Sequence, residues 1–352
     1  MRRSFFCASK GSMWRPQFQF DLNFNAVSRI MKSSLRLSRK KKKSAIFLAM
    51  ISGYILASLT IFIWGITFIC TKYLLLDFSA LEILFYRFLM AYIALWAIHP
   101  KWEKIEIKDN LLFALAGLSG VVLYQYSENL AINFTTASNV SVIVSICPLF
   151  TAIIAQIFLK EKHIQPFFIL GFILCIVGVA LVSLNGSSSL TLSPKGDLLA
   201  LFAAVCWGFY SLFVSILNKK NYDSLCATRR MFFFALLFMI PLMILGIKTH
   251  SVNFSASLIK VRISKPLNWI CMSFLGVLAS AFCFWAWNKA CSLIGTVKAT
   301  KGIYLIPLVT IVFAFFTLKE KISWMGALGA FLTIAGLFVS EIKFKQNKKI
   351  GK

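Results

Sequence analysis

Long apolar runs recur along almost the whole chain, and they restrict its fold more than any other feature. Between Ser44 and Ser340 these runs follow one another with only short polar breaks. A run of 18 or more apolar residues is long enough to cross the ~30 Å hydrocarbon core of a bilayer as a helix. The runs lack the alternation of apolar and polar residues that a membrane β-barrel requires. The sequence therefore predicts an all-α polytopic membrane protein.

The apolar runs divide into ten predicted transmembrane helices. Hydrophobic residues make up 59% of the 352 positions and charged residues only 14%, which is too little charge to cover a soluble protein of this size. The predicted helices lie near residues 48–71, 79–98, 111–132, 135–159, 166–185, 197–218, 224–246, 267–288, 293–318 and 324–342.

The net charge of +26 is concentrated near the chain ends. Residues 1–43 are predicted to form a basic, disordered cytoplasmic tail, with an organelle transit peptide as the alternative, and residues 343–352 form a second basic tail. Basic runs beside a span anchor it to anionic lipid and favour the cytoplasmic side, so both termini are predicted to be cytoplasmic. The lipid bilayer is thus the expected partner, and nucleic acid is not. The excess of Lys over Arg, with much Phe and Ile, suggests an AT-rich bacterial genome and the inner membrane.

The sequence contains an internal repeat. At an offset of 143 residues, five residues of the first predicted helix recur in the sixth, and an arginine of the second helix recurs in the seventh: Gly53, Leu56, Ala57, Trp64, Gly65 and Arg87 match Gly196, Leu199, Ala200, Trp207, Gly208 and Arg230. Further along, the offset is 159: Asn129, Pro148, Thr151 and the triplet 160–162 match Asn288, Pro307, Thr310 and the triplet 319–321. The 16 additional residues fall in the linker 247–266, where an insertion has a small entropic cost.

The repeat predicts two five-helix halves, residues 44–185 and 186–342. Because five is odd, the second half enters the bilayer upside down relative to the first. Inverted repeats of this kind are typical of secondary transporters that work by alternating access. Gly171 and Gly178 match Gly329 and Gly336 at i, i+7, which favours close packing of the fifth helix on the tenth.

These residues also resemble a known family. The Trp-Gly pair in the first helix of each half, the stretch Ala137-Ser138-Asn139 followed by Pro148-Leu149, and the Lys-Glu-Lys triplet are similar to the drug/metabolite transporter superfamily, EamA type. The resemblance implies ten helices around a central cavity and no ATP hydrolysis. It implies substrates among amino acids, other small metabolites, nucleobase- or nucleoside-like compounds and drugs. The second half departs from the usual small-residue pattern at Lys298 and Lys301.

Glu128 is the acidic residue predicted to lie well inside a span, in a polar patch of the third helix. A charge in hydrocarbon is costly and requires a partner or a function. We predict that Glu128 binds a substrate amine or acts as a proton-coupling acid; the alternative is that it lies near the outer helix end and reaches water. Lys298 and Lys301 share a helical face and could bind a carboxylate or phosphate, unless Lys298 extends to the membrane surface.

Several aromatic and amide residues complete the candidate substrate site. Five aromatic residues could stack on a planar or cationic solute, although aromatic side chains in helices more often serve packing: Trp64, Trp207, Trp285, Trp287 and Tyr304. Trp64 and Trp207 are favoured because both halves carry them. The other candidates are Asn129, Asn139 and Asn288. Pro148 and Pro307 should kink their helices at matching places and are predicted gates. Arg87 and Arg230 are repeat-related, which favours a structural role.

The absence of motifs narrows the function further. The sequence has no Walker motif and no HExxH or GxSxG motif, and its cysteines and histidines are scattered, so we predict no enzyme activity, cofactor or metal. The predicted function is secondary active transport of an amino acid or amino-acid derivative, S-adenosylmethionine being one candidate. Transport would be coupled to protons or to solute exchange (antiport). The alternatives are a passive channel or facilitator and a drug or metabolite efflux pump. A homodimer is possible.

Overall fold

The computed structural model describes residues 24–160, 164–183, 194–252, 255–317, 324–340 and 342. These residues contain no strand. The α-helices are α1 (Phe24–Leu74), α2 (Ala80–Ile98), α3 (Asn110–Ala116), α4 (Tyr124–Phe134), α5 (Ala137–Val144), α6 (Cys147–Leu159), α7 (Pro166–Ser183), α8 (Pro194–Asn218), α9 (Ser224–Lys248), α10 (Ala256–Ser264), α11 (Pro266–Ser273), α12 (Cys283–Ile294), α13 (Thr296–Lys301), α14 (Ile306–Thr317) and α15 (Trp324–Ser340). The chain divides into the units Met1–Leu48 and Ala49–Lys352, and every contact discussed below lies within the second.

The helical segments match the predicted membrane fold. Eight are long and apolar enough to cross a bilayer: Ile46–Leu74, Ala80–Ile98, Ile107–Phe134, Val140–Leu159, Pro194–Asn218, Ser224–Lys248, Pro266–Ile294 and Thr296–Thr317. The fifth and tenth predicted helices are present as α7 and α15, whose described apolar stretches are shorter. The prediction of an all-helical, polytopic membrane protein is confirmed.

The structure differs from the sequence-based expectation near the N-terminus. Residues 24–43, which were expected to belong to a disordered tail, are helical and form the start of α1. The segment has no proline or glycine and is rich in Lys and Arg, which favour helix. The remaining tail residues 1–23 and 343–352, and both Lys-Glu-Lys triplets apart from Lys160, lie outside the described residues.

Contacts between the two halves occur in repeat-related pairs. A Cβ atom built on Gly65 of α1 would lie 2.5 Å from Val309 Cβ, and one built on Gly208 of α8 would lie 3.1 Å from Phe150 Cβ. Gly65 and Gly208 are related by the offset of 143 and Phe150 and Val309 by the offset of 159. In each half, a glycine of the first helix therefore contacts the fourth helix of the other half. Such reciprocal contacts are expected for two halves related by a pseudo-two-fold axis.

The third helix of each half contains a π-helical segment at the same place. The segments Gly117–Leu123 and Phe274–Phe282 join α3 to α4 and α11 to α12. Gly117 and Gly276, related by the offset of 159, each pack on the second helix of the opposite half. A Cβ atom would lie 2.5 Å from Met231 O at Gly117 and 3.2 Å from Arg87 O at Gly276. Such segments often occur at functional sites because they rotate side chains out of the regular helical register.

Helices α7 and α15 pack closely through glycine, as the repeat predicted. A Cβ atom built on Gly171 would lie 2.5 Å from both Gly336 O and Ser340 N, and one built on Gly336 would lie 2.6 Å from Gly171 O. These neighbours are backbone atoms, which cannot move aside without separating the two helices. Close packing of small residues is the main means by which helices associate in lipid.

We therefore expect Gly171→Ala to lower the free energy of unfolding by about 1–3 kcal/mol through overpacking. Thermal unfolding of the purified protein in detergent would measure this loss. The control is Val177→Leu, at an exposed position of the same helix, which should leave the stability unchanged. A Gly171→Ala variant as stable as the wild type would contradict the close contact.

Pro148 and Pro307 interrupt their spans at matching places. Pro148 lies in the first turn of α6, after a break that separates this helix from α5. Pro307 lies at the same position of α14, after the 3-10 turn Gly302–Leu305. A proline has no N–H and is tolerated in the first helical turn, where the N–H would be unpaired anyway. The predicted kinks are thus full interruptions of the helix, and their role as gates stays a prediction.

The inserted linker 247–266 contains a helix, α10, that is fixed to the start of α2. Arg262 forms a bidentate ion pair with Glu82, at 2.9 and 3.1 Å, and both side chains are buried. Lys265 and Asn268 donate hydrogen bonds to the Asp77 carboxylate. Burial raises the pKa of Asp77, but these hydrogen bonds outweigh it and hold the pKa below its usual value. The insertion is thus an ordered part of the fold.

Candidate substrate site

A buried arginine and a buried glutamate lie at the centre of the bundle. Arg87 of α2 is 1% exposed and donates hydrogen bonds from Nε to Ser280 Oγ (3.0 Å) and from Nη1 to Gln125 Oε1 (2.8 Å). Glu128 of α4 is 4% exposed, and its carboxyl group interacts with the Tyr124 hydroxyl group and with the charge of Arg87. This burial favours the prediction that Glu128 lies inside the span over the alternative in which it reaches water at the helix end.

Arg87 and Glu128 are close but do not touch. Among the ion pairs of the described residues, none joins their side chains within 4.0 Å. Arg87 is held by the uncharged side chains of Gln125 and Ser280, and Tyr124 lies one helical turn before Glu128 on α4. Two opposite charges that are buried near each other without direct contact leave both available to a bound molecule.

Three tryptophans, which we call the tryptophan cluster, pack beside these charges. The ring centroids of Trp64, Trp207 and Trp287 are 5.1 to 5.8 Å apart, and Trp64 Nε1 donates a hydrogen bond to Ala279 O. Tyr124, the neighbour of Glu128, lies 4.9 Å from Trp207. The cluster joins α1, α8 and α12, so both halves contribute to it. Trp64 and Trp207 were the favoured tryptophans of the predicted site, and Trp287 was a further stacking candidate.

Several buried polar atoms around this centre have no hydrogen-bond partner within the part of the chain that the structure describes. They are Trp207 Nε1, Trp287 Nε1, Tyr304 Oη and Asn129 Oδ1. Cys147 lies within electrostatic reach of both Tyr304 and Glu128, which brings Tyr304 to the same region. An unpaired buried polar group costs about 1–3 kcal/mol, so a cluster of such groups is typical of a place that a solute or water occupies.

The predicted asparagines have structural partners. Asn129 donates from Nδ2 to Ala80 O at 3.3 Å. Asn288 accepts from the Tyr210 hydroxyl group at 2.7 Å and donates to Thr228 Oγ1 at 3.0 Å. The side chain of Asn139 lies outside the described residues. The hydrogen bonds of Asn129 and Asn288 join neighbouring helices, and any contact of these residues with substrate stays a prediction.

Lys298 and Lys301 lie in different surroundings although they are three residues apart. Lys301 Nζ donates to Ser340 O at 3.3 Å and lies 5.7 Å from the centre of the Phe168 ring. It is therefore held between α7 and α15. Lys298 is exposed and lines a cavity between α6, α8 and α13. Of the two lysines, Lys298 is the one beside an open space.

This inner cavity has a volume of about 170 Å³. Its lining residues are Thr151, Ala155, Leu159, Ser211, Leu212, Ser215, Ile294, Gly295, Thr296, Val297 and Lys298. Leu159 and Ser215 lie near the ends of α6 and α8 that the predicted topology places on the cytoplasmic side. Thr151 is one helical turn, about 5.4 Å, from Cys147 and hence from the surroundings of Glu128. Among the lining residues, Thr151 is thus the one on α6 that lies nearest in sequence to Cys147.

Arg87 is the charged residue of this centre that the sequence did not place among the candidate site residues. Its match with Arg230 favoured a common structural role, but the two arginines differ in surroundings. Arg230 is half-buried and donates to Asn110 Oδ1 at 3.0 and 3.1 Å. The offset of 159 pairs Glu128 with Trp287, so only the first half combines the arginine with an acid. This difference between the two halves is the sequence signal that could have indicated a special role for Arg87.

Among the described residues, one cluster of three side chains has residue types that can bind a metal ion. The potential ligand atoms of His99, Asp223 and Cys226 lie within 4.8 Å of one another. Asp223 accepts hydrogen bonds from two backbone N–H groups at the start of α9 and is a helix cap. The Arg229 guanidinium group lies 3.7 Å from Cys226 Sγ, which disfavours a cation at this place. The helix cap and the contact with Arg229 therefore account for the proximity of these three side chains without a metal ion.

The repeat-related helix contacts and the charged, aromatic centre that both halves enclose define a membrane transport protein. The sequence model of the EamA-like transporter family matches residues 51–184 and 194–341. The chain therefore belongs to the EamA-like transporter family, a non-enzymatic class, which confirms the resemblance.

Related proteins agree with this assignment. A protein of Archaeoglobus fulgidus named an uncharacterized transporter is 28% identical over 83% of this chain and 98% of its own length. A probable terminal-alkyne amino-acid exporter of Streptantibioticus cattleyicolor is 28% identical over 66% of this chain and 73% of its own length. One solved crystal structure aligns with a TM-score of 0.62 and 14% identity, over 83% of this chain and 96% of that chain, and shows the same fold.

Proposed function

We propose that this transporter is a secondary active carrier of a small metabolite with an amino group, an amino acid or an amino-acid derivative. The observation that carries the proposal is the buried Glu128 carboxyl group beside the tryptophan cluster. A carboxylate that is removed from water binds an ammonium group strongly, because water no longer competes for it. The name of the Streptantibioticus cattleyicolor relative, a probable amino-acid exporter, supports the same substrate class.

Alternating access is the mechanism that we propose for this carrier. The glycine contacts that occur once in each direction support it, because two equivalent halves can exchange conformations. The inner cavity and the closed centre beyond Thr151 fit a state that is open toward one side only. Solute exchange or proton coupling would drive the transport. S-adenosylmethionine is one candidate solute, since its adenine ring could stack on the tryptophans. We further propose cytoplasmic termini in a bacterial inner membrane.

Exchange in liposomes that contain the purified full-length chain tests this function. Vesicles are loaded with unlabelled amino acids, nucleosides or S-adenosylmethionine, and entry of each labelled compound is followed with and without a pH gradient. We expect internal amino acid or S-adenosylmethionine to accelerate entry of the labelled compound, or a pH gradient to drive its accumulation. Entry that neither condition changes would contradict active transport and favour a facilitator. The absence of flux from folded protein would overturn the proposal.

A further inference from the structure

We propose that Arg87 binds the carboxylate of the transported solute while Glu128 binds its ammonium group, so that the site selects zwitterions. This inference rests on the proposed function and specifies its substrate. It assigns the carboxylate to Arg87 and not to Lys301 or Lys298, the two residues that the sequence favoured.

Comparison with another buried arginine of the chain supports this assignment. Arg262 is 9% exposed and is paired with the Glu82 carboxylate at 2.9 Å, so its charge is neutralised within the protein. Arg87 is buried more deeply, and its two acceptors are the uncharged oxygens of Gln125 and Ser280. A buried charge without a direct counter-ion is costly. It is stabilised when a carboxylate enters.

The guanidinium group has donors available for such a carboxylate. Nε and Nη1 donate to Ser280 and Gln125, whereas Nη2 donates no hydrogen bond to any described residue. Arginine binds a carboxylate best with two parallel N–H groups. The acceptors that hold Nε and Nη1 are side chains, which can rotate away and release their donors. Backbone acceptors, such as those that bind Arg229, could not do so.

The positions of the two charges suit a zwitterion. Arg87 donates to Gln125, which lies one helical turn before Glu128 on the same face of α4, yet no N–O distance between Arg87 and Glu128 is below 4.0 Å. An α-amino acid carries its two charges on adjacent carbon atoms and can contact both groups at once. Tyr124 connects Glu128 to Trp207, so the side chain of the solute would lie against the tryptophan cluster.

The two lysines lack this combination. Lys301 Nζ is bound to the carbonyl oxygen of Ser340 beside Phe168, between α7 and α15. Lys298 is exposed in the inner cavity, where it could attract an anion toward the site but not bind it beside Glu128. Arg87 is the cation whose charge acts directly on Glu128.

The test compares a zwitterion with the matching amine in liposomes that contain the full-length protein. The pair consists of the amino acid that the wild type exchanges fastest and its decarboxylated amine. Competition by each compound against the labelled amino acid gives a selectivity ratio. We expect Arg87→Gln to lower the zwitterion-to-amine ratio by about 30-fold or more, because it removes one charge of a buried pair. Arg87→Lys keeps the charge without the planar fork and should lower the ratio less.

Two matched variants separate this role from a general effect of basic residues. Lys301→Gln removes the lysine that the sequence favoured, and Arg230→Gln removes the repeat-related arginine; both should keep the wild-type ratio. If Arg87→Gln misfolds, Arg87→Lys supplies the measurement. An unchanged ratio in the folded Arg87 variants would overturn the inference while leaving amino-acid transport established. A wild-type protein that carries only solutes without a carboxylate would overturn it as well, and absence of all flux would contradict the proposed function itself.

Discussion

Glu128→Gln should reduce exchange of the amino substrate by about 100-fold, at unchanged abundance in the membrane. The substitution keeps the size of the side chain and removes its charge. Loss of one partner of a buried, hydrogen-bonded charge pair typically costs 2–5 kcal/mol, and about 2.7 kcal/mol corresponds to a factor of 100. The measurement is the initial rate of labelled uptake into loaded liposomes, over a range of substrate concentrations.

The control for this experiment is Glu106→Gln, which removes an exposed carboxylate that lies 3.8 Å from Lys108. Exposed pairs of this kind contribute little, so transport should be unchanged. Glu128→Asp, which keeps the charge but shortens the side chain, should retain part of the activity. Full activity of Glu128→Gln would show that the carboxylate is structural and would contradict the proposed site.

Glu82→Gln should destabilise the protein by about 3–5 kcal/mol, because it leaves the Arg262 charge buried without its partner. Glu82 is 1% exposed and accepts two hydrogen bonds from Arg262. The substitution removes the charge of Glu82 but can keep its role as a helix cap. Glu82 also forms a capping box with Ser79 at the start of α2, and glutamine can replace glutamate in that motif. Chemical or thermal unfolding in detergent measures the loss.

A double variant distinguishes the ion pair from simple packing. In Glu82→Gln combined with Arg262→Met, both charges are absent while the helix cap can be kept, and the stability should recover much of what the single Glu82→Gln variant loses. Lys260→Ala, at an exposed position of α10, is the control and should have no effect. If Glu82→Gln is as stable as the wild type, then α10 is not fixed to α2 through this pair.

These two charged pairs show where sequence reasoning stops. In the sequence, Glu82 is an acid one turn into the second predicted helix, and the linker 247–266 contains four basic residues. Nothing in the sequence indicates which of those residues meets Glu82, because the partner is 180 positions away. Likewise, the match between Arg87 and Arg230 suggested a shared role. The repeat indicates the backbone that the two halves share, whereas this centre also contains residues that differ between them, such as Glu128 and its counterpart Trp287.

The sequence alone determined the class of protein, the bounds of the spans and the internal repeat, because apolar length and residue spacing are properties of the chain itself. The same holds for the glycines of α7 and α15 and for the prolines that interrupt two spans. Only the tertiary structure decided that Glu128 lies beside Arg87, and that Lys301 is held by α15 instead of facing the substrate. The energy of a charge in a membrane depends on the groups that packing brings to it from distant segments, and no local pattern encodes those groups.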